Sequence, residues 1–219
     1  MASGIVGAGG VLVPPDGYIE GIRALCDKFL VRVASEIGDV TDVTQVTSAK
    51  GLTGSFLPLS MVGVRQKIKD YFWENPVGWG ATYHAHPVAL ACAYETVKYM
   101  LKEQIVEKVQ KLEPVMMQEL QTLVLKHDSV RQARNVGLFG CLDLQNPEGK
   151  FIQRLGAPLP PEVQLLRQAL RDQGLLALFR PTLLHCCPPL VIQDGGGEVT
   201  RIICNPELLR IWVLNPSVP

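Results

Sequence analysis

Hydrophobic residues recur along this chain with two different spacings, and each spacing predicts one type of element. Apolar residues every three to four positions predict five helices, over residues 18–28, 65–73, 86–101, 105–124 and 160–173. Pro114 lies inside the fourth of these patterns and predicts a bend or break there. β-branched or alternating apolar runs predict six strands, over residues 29–34, 42–47, 59–64, 137–144, 175–179 and 183–187.

The glycine cluster at residues 7–10 precedes the apolar run at residues 11–13. Glycine clusters can bind phosphate where they open a helix after a strand. Because an apolar run follows this cluster, and not a helix, the pattern favours a loop.

Composition limits the kinds of partner to expect. The 219 residues are 47% hydrophobic and 19% charged, with a formal net charge of zero, which fits a globular protein with a substantial core. The zero charge does not favour nucleic acid or a membrane surface, and no apolar run is long enough to span a bilayer. The first ten residues resemble neither a signal nor a transit peptide, so a cytoplasmic location is favoured.

The cysteines and histidines do not predict a metal site. The six cysteines contain no Cys-x-x-Cys pair and lie mostly in apolar runs, which is typical of buried thiols in a reducing compartment. His84 and His86 would share one face of a strand, but no third ligand accompanies them, and Pro87 begins a helix.

A lysine between small residues is the strongest chemical feature. Lys50 follows the strand predicted at residues 42–47, and its neighbours are Ala49 and Gly51. Small neighbours let a bulky group approach closely. At the end of a buried strand the amine would be poorly solvated, which lowers its pKa and suits Schiff-base chemistry. An ordinary solvated lysine is the alternative that these residues alone leave open.

Six short motifs occur in order along most of the chain. They are Gly9-Gly10-Val11-Leu12-Val13-Pro14-Pro15-Asp16-Gly17-Tyr18, Ser48-Ala49-Lys50-Gly51-Leu52-Thr53-Gly54, Leu57-Pro58-Leu59, Gly78-Trp79-Gly80-Ala81-Thr82-Tyr83-His84-Ala85-His86-Pro87, Phe179-Arg180-Pro181 and Cys187-Pro188-Pro189-Leu190. Together they resemble the class III pyridoxal-phosphate (PLP) aminotransferases, above all the ω-amino-acid:pyruvate group that includes the taurine–pyruvate and β-alanine–pyruvate enzymes.

This resemblance implies an α/β fold, specifically part of the PLP-transferase fold type I. Residues 1–125 would form part of the large three-layer α/β/α domain that binds PLP. Residues 126–192 would form the small α+β C-terminal domain, and residues 193–219 a divergent tail.

The resemblance also implies roles for three residues. Lys50 would form the Schiff base with PLP and move the proton of the substrate. Thr82 would reach the cofactor phosphate from the neighbouring subunit of a homodimer, and Arg180 would bind the substrate carboxylate bidentately. The substrates would be an amino donor, such as an ω-amino acid, and pyruvate or another 2-oxo acid. A loop threonine and an exposed arginine are the alternatives for Thr82 and Arg180.

Two departures from the family pattern favour a second hypothesis. Ser35 stands where family members have the aspartate that keeps the pyridinium nitrogen protonated. The chain begins just before the Gly-Gly motif, whereas the family's cofactor-binding glycine/serine loop and stacking aromatic precede it. The chain would then be either a transaminase, or its C-terminal part, or a catalytically dead remnant that associates with a full-length relative.

Overall fold

The computed structural model describes residues 5–28, 34–35, 45–76, 78–146, 158–172, 174–180 and 182–192. The chain divides into two compact units. The N-terminal unit comprises Met1–Val6 and Leu12–Gln104, and the C-terminal unit comprises Gly7–Val11 and Ile105–Pro219. The domain division predicted at residue 125 stays a prediction, as does the tail at residues 193–219, which lies outside the described residues.

The N-terminal unit contains a small mixed sheet and three helices. Its elements are α1 (Tyr18–Lys28), β1 (Ala34–Ser35), β2 (Gln45–Ser48), a 3₁₀ turn (Lys50–Thr53), β3 (Met61–Val64), α2 (Gln66–Glu74) and α3 (Pro87–Lys102). Strand β2 is central, parallel to β1 and antiparallel to β3. The strand predicted at residues 42–47 is thus present from Gln45, and most of the one predicted at 29–34 lies outside the described residues.

A buried threonine fixes the turn that follows β2. Thr53 is fully buried, and its Oγ1 donates to the Leu57 carbonyl at 2.6 Å. Cys92 on α3 donates its thiol to the Thr53 carbonyl at 3.4 Å. Helix α3 therefore packs against this turn.

The C-terminal unit is a four-stranded antiparallel sheet with helices on one face. Its elements are α4 (Ile105–Lys126), β4 (Val130–Val136), β5 (Phe139–Leu144), α5 (Pro161–Asp172), β6 (Leu178–Arg180) and β7 (Leu183–Cys186), in the sheet order β4-β5-β7-β6. Buried side chains from α4, α5 and the sheet form one core: Leu112, Met116, Leu120, Leu123, Val130, Ala133, Leu138, Leu142, Leu144, Leu166, Leu170 and Leu184.

Two sequence expectations for this unit differ from the structure. Of the bend or break predicted at Pro114, the break is wrong, because α4 is one continuous helix of 22 residues that includes it. Burial of Leu112 and Met116 on either side holds the helix together across the proline. The sequence did not predict β4, because a register shift between Val130 and Gln132 and a buried asparagine, Asn135, break its apolar alternation.

The other face of this sheet is covered by the glycine hairpin, which we define as Gly7–Val11. The Gly7 carbonyl accepts hydrogen bonds from the Gly10 and Val11 amides at 3.0 and 3.1 Å. Val6 and Leu12 pair with each other at its base. Val11 is fully buried although its φ of 55° is left-handed, which is rare for a β-branched residue. The loop predicted for residues 7–10 is thus a turn that packs on the sheet.

No helix of the described residues is long and apolar enough to cross a membrane.

Candidate functional site

Lys50 is the first residue of the 3₁₀ turn, two positions after β2 ends at Ser48. Its φ of 54° places it in the left-handed region, and Gly54 closes the turn with a φ of 60°. A Cβ added at Gly51 would meet no atom within 4 Å, so the space beside Lys50 is open. The structure therefore leaves room for a bulky group, as the small neighbours predict.

The expected burial of Lys50 is not found. Its side chain is exposed, because the residue lies beyond the last paired residue of β2. Within the described residues its amine has no hydrogen-bond or ion-pair partner. The lysine of this chain is thus an accessible amine on a backbone-constrained turn.

The strand beside the lysine strand carries Ser35. Strands β1 and β2 are parallel, with Ala34 opposite Gln45 and Ser35 opposite Val46. The carboxyl ends of parallel strands lie at one edge of a sheet. Ser35 is therefore at the same edge of the sheet as the turn that begins at Lys50. Asp39 and Asp42, the next acidic residues along the chain, could substitute for the family aspartate, but they lie outside the described residues.

Thr82 lies in the loop that precedes α3. It is exposed and lies inside a turn in which the His84 amide donates to the Ala81 carbonyl at 3.0 Å. Ala85 has a left-handed φ of 54°, and Pro87 then begins α3. The described residues contain no group of three possible metal ligands, and His84 and His86 belong to none.

Arg180 ends the edge strand β6 of the C-terminal unit. It is exposed, pairs with Leu183 across the strands, and precedes a turn in which Thr182 has a left-handed φ of 67°. The Thr182 carbonyl accepts the Leu144 amide at 2.7 Å, which ties this turn to β5. Among the described residues the Arg180 guanidinium has no ion-pair or hydrogen-bond partner, so it is available to a ligand.

A second arginine in the C-terminal unit forms a hydrogen bond from each of its three guanidinium nitrogens. Arg134 on β4 donates from Nη1 and Nη2 to both carboxylate oxygens of Asp143 on β5, at 2.8 and 2.7 Å, and from Nε to the Gly10 carbonyl. The hydrogen bond to Asp143 raises the pKa of Arg134, against the opposing effect of burial. Sequence reasoning missed this pair, because only the register of β4 and β5 brings the two residues together.

The face that holds this pair also carries thiols and a histidine. His185 on β7 lies opposite Cys141 and donates from Nε2 to the Gly7 carbonyl at 3.0 Å, and its ring stacks on Phe139. Burial raises the pKa of Cys141 to about 12 and also raises the pKa of Cys187. Both thiols therefore stay protonated near neutral pH. Cys92, Cys141, Cys186 and Cys187 form no disulfide bonds.

Comparison with known proteins agrees with the fold. The family described as Aminotransferase class-III matches residues 30–199. The chain is 33% identical to a putrescine–pyruvate aminotransferase of Pseudomonas aeruginosa, over 99% of this chain and 46% of the relative. It is 27% identical to an ω-aminotransferase of Caulobacter vibrioides, over 86% of this chain and 46% of that relative.

A solved aminotransferase structure has the same fold as this chain over nearly its whole length. A taurine:2-oxoglutarate aminotransferase from Bifidobacterium kashiwanohense, solved with PLP and glutamate, superposes with a TM-score of 0.84 at 31% identity. The superposition covers 96% of this chain and 50% of that one. The chain spans about half the length of the curated relatives it matches. The expected α/β fold of the PLP-dependent transaminases is confirmed for this half, and the chain belongs to the class III aminotransferase family.

Proposed function

We propose that the chain takes part in PLP-dependent transfer of an amino group from an ω-amino acid or amine to pyruvate or another 2-oxo acid, with Lys50 as the Schiff-base lysine. Family membership supports transamination in general. The observation that carries the role of Lys50 is its accessible amine on a constrained turn beside open space. Residues in sparsely populated backbone regions cluster at active sites, where surrounding structure maintains the strain.

The same backbone feature recurs beside the other two predicted site residues. Ala85 follows Thr82 by three positions, Thr182 follows Arg180 by two, and both have left-handed φ values. Tight turns of this kind hold the neighbouring side chains in place. This supports a functional role for Thr82 in the N-terminal unit and for Arg180 in the C-terminal unit.

Lys50 and Thr82 suit two of the three groups of PLP that a protein binds, the aldehyde and the phosphate. The amine of Lys50 suits the aldehyde, and the hydroxyl and backbone amide of Thr82 suit the phosphate, which Thr82 would reach in the neighbouring subunit of a homodimer. Ser35 does not fit the ring nitrogen as an aspartate does, because a hydroxyl cannot stay ionised and hold the ring proton. When bound, PLP supplies the electron sink for charge left on the substrate carbon.

Arg180 and Lys50 would have different roles toward the substrate. Arg180 would bind and orient the substrate carboxylate through its planar guanidinium, which is free of other partners within the described residues. Lys50 would hold the PLP aldehyde and, once released, move the proton from the substrate.

Size-exclusion chromatography with light scattering tests the homodimer, because a monomer would leave Thr82 without a phosphate to bind. A cytoplasmic location stays a prediction, which cell fractionation tests.

Ser35 favours a second candidate function. With a serine at the end of β1, the chain would be a catalytically dead relative that associates with a full-length aminotransferase. Slow turnover that increases in Ser35→Asp would favour the first function, and no turnover in either form, with capture of a full-length relative, would favour the second.

The test of Lys50 is chemical labelling. Incubation with PLP and reduction with borohydride should label Lys50 stoichiometrically, with a shift of the visible absorbance before reduction, and mass spectrometry identifies the labelled residue. Lys50→Ala should lose the label, whereas Lys98→Ala, which changes an exposed lysine of α3, should keep it. Scattered substoichiometric labelling in the wild type, or stoichiometric labelling that survives Lys50→Ala, would contradict the role of Lys50.

A further inference from the structure

The glycine hairpin is held against the sheet through two of its carbonyl groups. The Gly7 carbonyl accepts Nε2 of His185, and the Gly10 carbonyl accepts Nε of Arg134. These two side chains come from β7 and β4, the second and fourth strands of the sheet counted from its Arg180 edge. The hairpin is thus attached at both ends to the sheet face that it covers.

The ion pair beside Gly10 fixes the orientation of the Arg134 guanidinium. Arg134 and Asp143 are 17% and 10% exposed, and their bidentate contact fixes the guanidinium plane. A buried ion pair contributes little net stability, because desolvation of both charges offsets their attraction. The pair instead holds the Nε–H of Arg134 in place, where it donates to the Gly10 carbonyl.

The hairpin also lies next to the row of side chains that contains Arg180. A Cβ added at Gly10 would come within 2.5 Å of Nη2 of Arg134 and 3.2 Å of both methyl groups of Leu183, so Gly10 contacts both side chains closely. Leu183 lies directly opposite Arg180 in the sheet. Directly opposite residues project from the same face, about 5 Å apart. The hairpin therefore borders the position from which Arg180 projects.

We propose that Arg134 and Asp143 are positioning residues, which fix the glycine hairpin as a wall beside Arg180 and thereby increase the affinity of Arg180 for a substrate carboxylate. This inference rests on the proposed function of Arg180. Arg134 is not assigned to the substrate, since its charge is paired with Asp143 and each of its three guanidinium nitrogens already donates one hydrogen bond within the protein.

The test removes the ion pair and keeps its volume. In the full chain, Arg134→Met combined with Asp143→Leu removes the donor to Gly10 without leaving a buried charge. Hydrogen exchange at the Val11 amide, which donates to the Gly7 carbonyl, should become at least about tenfold faster because the hairpin opens more often. The dissociation constant for pyruvate, from NMR titration, should rise about tenfold, as expected for a misplaced binding group.

Three further variants make the result specific. Arg134→Lys keeps the charge but loses the planar fork, so it should reproduce part of both effects. This variant replaces the double variant in the test if the double variant does not fold. Arg167→Lys changes an exposed arginine on α5 and should alter neither measurement. Arg180→Lys should weaken pyruvate binding but leave the exchange at Val11 unchanged.

The outcomes separate this inference from the function on which it rests. Unchanged exchange at Val11 would overturn the attachment of the hairpin, and faster exchange with unchanged pyruvate affinity would overturn the positioning role alone. If the wild type does not bind pyruvate, the role of Arg180 fails and the inference fails with it. The Lys50 labelling then decides separately whether the PLP site stands.

Discussion

Helices α3 and α4 follow each other in the chain and differ sharply in burial. Helix α4 buries five apolar residues against the sheet of its own unit. Helix α3 buries only Ala89 among the described residues, and its large apolar side chains are exposed: Val88, Leu90, Tyr94, Val97, Tyr99 and Leu101. Both helices have the residue spacing of an amphipathic helix, so periodicity alone does not tell which apolar stripe is covered.

Within the part of the chain that the structure describes, the difference shows where the large apolar core lies. The C-terminal unit has a contiguous core of buried residues from two helices and a sheet. The N-terminal unit holds its lysine turn through a few local contacts, such as the bond from Thr53 to Leu57. Large exposed apolar patches mark interaction surfaces, ligand-binding grooves or aggregation-prone surfaces. Helix α3 exposes more large apolar side chains than α4 does and is therefore the candidate interaction surface of the two.

The largest expected effect lies in the core of the C-terminal unit. Leu120→Ala removes a side chain that is fully buried beside Gly140 and should lower the free energy of unfolding by about 3 kcal/mol. Urea unfolding followed by circular dichroism measures this loss. Leu125→Ala, on the same helix but 87% exposed, is the matched control and should change it by less than about 0.5 kcal/mol. Equal losses in the two variants would mean that α4 does not organise the core.

A smaller effect should come from pH, through the buried thiol of Cys141. Burial raises its pKa from 9.0 to about 12, so the folded chain holds this proton more tightly than the unfolded chain. The thiol's contribution to stability is therefore complete below pH 9 and is lost as pH rises toward 12. At pH 10.5 the loss should be about 2 kcal/mol.

Cys141→Ala isolates this effect from the titration of other groups. The difference in unfolding free energy between wild type and variant should be constant from pH 7 to 8.5 and shrink above pH 9, because the alanine has no proton to lose. A constant difference up to pH 11 would mean that the thiol is not buried in the folded chain.

The smallest effect is expected on the exposed side of α3. Tyr94→Ser changes a side chain that is 66% exposed and should alter the unfolding free energy of the isolated chain by less than about 0.5 kcal/mol. The same variant should weaken self-association, measured by analytical ultracentrifugation, if a second copy covers this side. A stability loss like that of Leu120→Ala would show that α3 is already covered within one chain.

The sequence by itself determined the local elements and the family. The spacing of apolar residues located the five helices within a few residues, because that period reflects one helix face and needs no knowledge of its partner. The small neighbours of Lys50 predicted open space beside it, which the structure has. The order of six motifs identified class III aminotransferases, which the comparisons confirm.

Only the tertiary structure decided which residues meet. The pairing of Arg134 with Asp143, the attachment of the glycine hairpin through Gly10 and the exposure of Lys50 depend on strand register and on where a strand's pairing ends. Register joins residues far apart in sequence, and a shift of one residue moves every side chain to the opposite face. Local pattern does not specify such contacts, which is why the pair of Arg134 and Asp143 was missed while the helices were found.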